Sequence, residues 1–79
     1  MALADDIVMV RGHVWLGGRH ISQQRERIAE LERLKLPTEQ AYDLLDIFES
    51  LQDLHQLHLS RLLAKAEERS LDAGHRLQS

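Results

Sequence analysis

Apolar residues recur every three and four positions through the first half of the chain. With Ile7 at position a of a heptad, the a positions are Ile7, Val14, Ile21 and Ile28, and the d positions are Val10, Gly17, Gln24 and Leu31. A seam that persists over so many heptads predicts one long helix that packs in coiled-coil fashion. We expect this helix to span about residues 5–35, with aspartates near its positive end.

The second half of the chain predicts another helix, over about residues 38–69. Pro37 separates the two, because proline cannot continue the helical hydrogen bonds, and Thr38 is the expected N-cap. The apolar stripe of this helix is broad: it contains Ala41, Leu44, Leu45, Phe48, Leu51, Leu59, Leu62, Leu63 and Ala66 with His55 and His58, beside a second row of Ile47, Leu54 and Leu57. Residues 70–79 lack this periodicity and are expected to fray.

The predicted helices are joined by only a few residues around Pro37, and a connection of about two to four residues requires neighbouring helices to lie antiparallel. The predicted fold class is therefore all-α, an antiparallel two-helix hairpin that forms one domain over residues 1–79. Folding about residue 36 predicts three ion pairs, Arg19 with Asp53, Arg27 with Asp46 and Arg33 with Glu39. A hairpin of this length has almost no interior. We therefore expect two copies to pair into a four-helix bundle as a homodimer, although a helical segment of another protein could cover the same surface.

The composition narrows the possible environments and partners. The chain has 79 residues, no cysteine and a formal net charge of −3. Disulfides are therefore excluded, and a mild acidic balance argues against nucleic acid as a partner. The N-terminus carries aspartates where a signal peptide would carry basic residues, and no apolar run could span a bilayer. The sequence predicts a cytoplasmic protein that does not bind membranes.

The stretch GHVWLGGRH, residues 12–20, interrupts the helical composition with three glycines. A glycine inside a helix costs about 1 kcal/mol relative to alanine, so Gly17 and Gly18 suggest that a bulky group approaches the backbone there. We expect that group to be His55, or Trp15 from a second chain. Trp15 otherwise serves as an apolar anchor. A buried Gln24 in the seam is expected to fix the register.

Four histidines are candidate metal ligands. His13 and His20 are seven residues apart, about 10.5 Å along a helix, and cannot share an ion within one chain. His55 and His58 are three apart and have the spacing of two ligands to one metal. With a histidine of the first helix or of a second chain, several imidazoles could bind zinc or another late transition metal. The alternatives are a structural, pH-sensitive polar layer and surface histidines without a role.

No catalytic motif accompanies these residues, and we do not expect an enzyme or a tightly bound organic cofactor. The leading hypothesis is a small non-catalytic interaction or regulatory module that works as a dimeric bundle. Its predicted interface residues are Val14, Trp15, Gly17, Ile21, Gln24, Phe48, Leu51, Leu54, Leu57 and His55. The alternative is a metal-binding, ligand-binding or pH-sensing bundle that uses the histidines, with assembly changing between about pH 5.5 and 7.5 in the last case.

The segments HVWLGGRHISQQRERIAELE, TEQAYDLL and HQLHLSRLL together resemble a group of short, uncharacterised bacterial proteins that look like helical hairpins. The positions that carry the resemblance are His13, Val14, Gly17, His20, Ile21, Gln24, Arg25, His55, His58 and Arg61. The resemblance implies the hairpin fold but no activity. This chain departs from the group at Gly18 and Arg19, where an acidic residue would be expected soon after the first glycine.

Overall fold

The protein consists of two α-helices that pack against each other along their length. The computed structural model describes residues 2–78, with side chains for residues 2–73. Helix α1 spans Ala2–Arg33 and helix α2 spans Glu39–Gln78. The described part of the chain contains no β-strand. The helices run antiparallel as a hairpin measuring 68 × 16 × 14 Å. The all-α, two-helix prediction is confirmed.

The seam predicted for α1 is the surface that contacts α2. Val10, Gln24 and Ile28 are buried, and every other a and d position from Ile7 to Leu31 is half-buried. The helix begins at Ala2, earlier than expected, because the first residues are good helix formers that precede the favourable aspartates.

Helix α1 ends two residues before the expected position, in a Schellman motif. Lys35 adopts a left-handed backbone conformation with φ of 57°, and its N–H donates to the carbonyl of Glu32 at 3.0 Å. The N–H of Leu36 donates to the carbonyl of Leu31 at 2.9 Å. These two bonds satisfy carbonyls that the helix end would otherwise leave free, and Pro37 follows as it commonly does after such an end.

Helix α2 begins as expected but continues further. Thr38 precedes its first residue, and the Thr38 carbonyl accepts a hydrogen bond from the N–H of Tyr42 at 2.9 Å. The helix ends at Gln78 and not at about residue 69 as expected, and Ser79 lies outside the described residues. That residues 70–79 fray stays a prediction. The segment includes leucine and alanine, and the single Gly74 costs only about 1 kcal/mol in a helix, too little to break it.

The surface by which α2 contacts α1 is narrower than the predicted stripe. It consists of Ala41, Leu45, Phe48, Gln52, His55, Leu59, Leu62 and Ala66, all buried or half-buried. Leu44, Leu51 and Leu63, predicted to belong to the stripe, are exposed, and so is His58. A single partner helix covers only one such row, which leaves the flanking leucines uncovered.

The register between the helices differs from the prediction by about one turn. Gly17 was expected level with His55, whereas His13 faces His55 and Gly17 faces Gln52. The three expected ion pairs are absent among the described side chains, where Arg25 pairs with Glu49 at 3.3 Å and Arg33 pairs with Glu30 in its own helix. The observed register is the one at which the buried Gln24 and Gln52 reach carbonyls of the other helix.

Candidate functional site

A groove opens between the two helices on one side of the hairpin, at the level of the central glycines. Its volume is about 340 Å³. We call it the histidine groove, and its lining consists of His13, Leu16, Gly17, His20, Phe48, Leu51, Gln52 and His55. Three of the four histidines that the sequence singled out therefore line one depression.

Gly17 makes room for the side chain of Gln52 at the base of the histidine groove. A Cβ atom at Gly17 would lie 2.8 Å from Cδ of Gln52 and still closer to its Oε1, inside any tolerable contact distance. Gln52 has only 9% of its surface exposed, and its Nε2 donates to the Val14 carbonyl at 2.7 Å. The bulky group expected above the glycines is thus Gln52, and the assignment of that place to His55 is wrong. His55 lies one turn further along the same groove.

Two buried polar atoms of the groove lining lack a hydrogen-bond partner among the described residues. They are Oε1 of Gln52 and Nδ1 of His55. The Gln52 oxygen lies against the backbone of Gly17, where a Cα–H group can offer only a weak hydrogen bond. Buried polar groups are normally paired, so the hydrogen-bonding capacity of both atoms is unmet within the described chain.

The histidines divide into two places along the groove. The ring centroids of His13 and His55 are 5.3 Å apart, with an angle of 41° between the rings. His20 packs on Phe48 with the centroids 5.8 Å apart, and His58 is exposed outside the lining. Among the described residues of one chain, no group of three or more histidine, aspartate or glutamate side chains could hold a metal ion. The prediction that three or four histidines of a single chain converge on one ion is therefore wrong, and His58 lies apart from the groove.

Uncharged rows of residues flank the histidine groove on both helices. On α1 the row reads Met9, His13, Leu16, His20 and Gln23; on α2, with the same alternating spacing, it reads Leu44, Ile47, Leu51, Leu54 and His58. We call these two rows, with the groove between them, the grooved face. Leu51 is 47% exposed and Leu54 is 62% exposed. These exposed leucines make the grooved face a candidate binding surface.

The other side of the hairpin is polar and carries charge contacts between the helices. Arg25 pairs with Glu49 there, and the hydroxyl of Tyr42 donates to a carboxylate oxygen of Glu32 at 2.8 Å. That hydrogen bond, together with the negative charge of Glu32, raises the pKa of Tyr42 above 10.0. The two sides of the hairpin thus differ in charge, although Trp15 and Leu63 leave apolar area exposed outside the grooved face as well.

Trp15 and Leu57, two of the predicted interface residues, lie away from the grooved face. Trp15 is exposed beside a shallow depression that Gly18 and Arg19 also line, and the guanidinium of Arg19 is 5.2 Å from the Trp15 ring centre. Leu57 lies two residues from His55 and two from Leu59, both of which face α1, so its side chain points away from α1. It is 49% exposed. Val14, Ile21 and Gln24, in contrast, lie in the seam between the two helices.

Two glutamines form reciprocal hydrogen bonds across the seam. Gln24 of α1 is buried and donates through Nε2 to the Ala41 carbonyl of α2 at 2.8 Å, and Gln52 returns a bond of the same kind to α1. Each amide can reach its carbonyl at only one register, which agrees with the predicted role of Gln24. Sequence reasoning missed Gln52. Its position seven residues from both Leu45 and Leu59 was the available signal.

The fold and the groove together define an all-α protein of two helices with one apolar, histidine-containing side. Comparisons of the chain with protein-family models, with curated proteins and with solved structures find no match. The resemblance to short bacterial hairpin proteins therefore stays a prediction. Over the described residues, neither helix contains a stretch long and apolar enough to cross a membrane.

Proposed function

We propose that this protein is a small non-catalytic interaction module that works as a homodimer, in which two hairpins join through their grooved faces into a four-helix bundle. The observation that supports this most directly is the grooved face itself. Over residues 9–23 and 44–58 it contains leucines, an isoleucine and histidines without a charged residue in either row, whereas the opposite side has the ion pair of Arg25 and Glu49. An interface core is depleted of charge in the same way.

The hairpin has little buried apolar surface of its own. Among the described side chains, the buried apolar residues are Val10, Ile28 and Leu45. A domain of this size needs more burial, or a metal or disulfide, to outweigh the entropy of the unfolded chain. Burying a leucine side chain contributes about 1.5–3 kcal/mol when it is complete, so covering the half-exposed Leu16 and Leu51 alone would add several kcal/mol to a dimer.

A second copy suits this face in extent. Paired at the level of Gly17, two hairpins overlap along α1, whose 32 residues span about 48 Å; at a width of 16 Å this corresponds to about 770 Å² per hairpin, close to the roughly 800 Å² per partner of a standard interface. The histidine groove also lies near the middle of α1, level with Gly17 in a helix spanning Ala2–Arg33. A two-fold axis at that level would therefore let the whole of α1 overlap with the partner hairpin.

The test is the mass in solution, measured by light scattering on the full chain and on two matched variants. The wild type should have twice the single-chain mass of 9.1 kDa. Leu51→Asp places a charge on the grooved face and should give a monomer that remains helical by circular dichroism. Leu57→Asp changes an equally exposed leucine on the other side of the same helix and should remain dimeric.

Two results would contradict the proposal: a wild-type chain that is monomeric at micromolar concentration, or a Leu51→Asp variant that keeps the dimer mass. If Leu57→Asp alone gave monomers, the dimer would form through the back of α2 and not through the grooved face.

A further inference from the structure

We propose that the dimer binds a late first-row divalent metal ion such as Zn²⁺ at two equivalent sites, each formed by His13 and His55 of one chain and the partner's His20. This inference rests on the proposed antiparallel dimer, because one chain supplies only two of the ligands. We infer the site from the distance between the His13 and His55 rings, from the position of His20 along the groove and from the residues that line the groove.

The spacing of His13 and His55 suits two ligands of one tetrahedral ion. A Zn–N bond of about 2.0–2.1 Å places the metal about 3.2 Å from the centre of the imidazole ring, so two rings at a tetrahedral angle have centroids about 5.2 Å apart. The observed separation is 5.3 Å. The two rings come from different helices, so the hairpin register itself sets this distance.

Nδ1 of His55 is buried and has no hydrogen-bond partner among the described residues. Metal-binding histidines use one ring nitrogen for the ion and the other for a hydrogen bond that orients the ring. The hairpin supplies Nδ1 of His55 with no such hydrogen bond, so the hydrogen-bonding capacity of this ring is unmet in the single chain.

The two-fold axis of the proposed dimer brings the third ligand to the right level. His13 and His20 lie at equal distances along α1 on either side of Leu16–Gly17. On α2, His55 and Phe48 lie at equal distances on either side of Leu51–Gln52, which face Leu16–Gly17 across the groove. Rotation about an axis at this level places the partner's His20 level with His13 and His55. Within one chain His20 is about 10.5 Å from His13 along the helix and cannot reach the same ion.

The composition of the groove lining selects the kind of ion. Imidazole nitrogen suits Zn²⁺, Co²⁺, Ni²⁺ and Cu²⁺, whereas Mg²⁺ and Ca²⁺ require oxygen ligands, and the lining contains no carboxylate. Three histidines leave the fourth tetrahedral position for water or an anion. Leu16, Phe48 and Leu51 surround the imidazoles with apolar groups, which keeps bulk water away from the remaining bonds.

Titration of the dimer with Zn²⁺ by calorimetry, and with Co²⁺ by visible absorption, tests the inference at pH 7.5. We expect one ion per chain and a tetrahedral Co²⁺ spectrum. His13→Gln, His20→Gln and His55→Gln should each weaken binding by more than about tenfold, since each removes one ligand from both sites. The matched control is His58→Gln, which removes an exposed histidine of α2 outside the groove lining and should bind as the wild type does.

A mixing experiment distinguishes a ligand from the partner from one in the same chain. His20→Gln dimers and His55→Gln dimers each lack complete sites, but a mixed dimer has one complete site. After the chains are unfolded and refolded together, about a quarter of the wild-type capacity should return, because half of the dimers are mixed and each has one of two sites.

Several outcomes would overturn the site. A wild-type dimer that binds neither ion would exclude it while leaving the proposed function intact, and a monomeric wild type would exclude both. Binding that His20→Gln does not weaken, or a mixture that regains no capacity, would exclude the contribution of the second chain. Binding unchanged at pH 5.5 would also contradict it, because protons compete with metal for imidazole nitrogen.

Discussion

Replacing Gly17 with alanine tests the packing at the base of the histidine groove, and Gly12 provides a control in the same helix. Both glycines have helical backbone conformations without positive φ, so alanine at either position should gain about 0.5–1 kcal/mol of helix stability. At Gly12 nothing lies within 4 Å of the added Cβ, and the full gain is expected. At Gly17 the Cβ would displace the amide of Gln52.

The displaced amide determines the size of the effect. Gln52 can rotate away, but its Nε2 then loses the bond to the Val14 carbonyl while the side chain stays largely buried. Leaving a buried donor unpaired costs about 1–3 kcal/mol. The Gly17→Ala protein should therefore be less stable than the Gly12→Ala protein by about 1–3 kcal/mol. Gly18→Ala should behave like Gly12→Ala, because its nearest atom is Nε2 of Gln52 at an ordinary 3.9 Å.

Urea unfolding followed by circular dichroism gives these free energies, with all variants at one chain concentration because a dimer is stabilised by mass action. A double-mutant cycle identifies the cause: in a Gln52→Ala background, alanine at Gly17 has no amide to displace and should be as favourable as at Gly12. If Gly17→Ala stabilises the wild-type protein as much as Gly12→Ala does, then Gln52 does not occupy this place and the described groove is wrong.

Three further substitutions test the seam, the helix end and the polar side. Gln24→Ala should destabilise the hairpin by about 1–3 kcal/mol in urea, while exposed Gln23→Ala should change it by less than about 0.5 kcal/mol. Lys35→Gly should raise the unfolding free energy by about 1 kcal/mol, because glycine adopts the left-handed conformation without strain; a loss would contradict the observed turn. Absorbance titration of Tyr42, the only tyrosine, should give a pKa above 10.0, and the Glu32→Gln variant should bring that pKa back toward 10.0. The hydrogen bond between Tyr42 and Glu32 contributes stability below pH 10.0, and this contribution is lost as the pH rises through the raised pKa.

The α1 seam could be predicted because every a position from Ile7 to Ile28 is apolar and β-branched, and all four are buried or half-buried against α2. The α2 stripe was predicted too wide for a physical reason. Leu44, Leu51 and Leu63 have the same side chain as the buried Leu45, and periodicity alone does not tell a seam leucine from a flanking one. Only the facing residues of α1 determine which leucines are covered, and those depend on the register.

The register itself depends on features that heptad patterns do not encode. The pattern places Gly17 and the histidines near one level, and the structure does group three of the histidines there. The shift of one turn brings Gln52 to Gly17 and both buried glutamines to carbonyls of the other helix, contacts that a heptad pattern does not encode. The same shift concealed Gln52, since the expected register placed His55 and not Gln52 opposite Gly17.

The two buried glutamines explain why a weakly packed hairpin has a defined groove. Leucine at either position would bury more apolar area, so Gln24 and Gln52 reduce the stability that the seam could reach. Their amides, however, bond to a carbonyl of the other helix, and a slip by one turn would leave both unpaired in the interior. The same slip would separate His13 from His55 and close the space that Gly17 leaves open. The two glutamines and Gly17 therefore fix the register that places His13 beside His55, at the cost of the apolar area that leucine and alanine would bury.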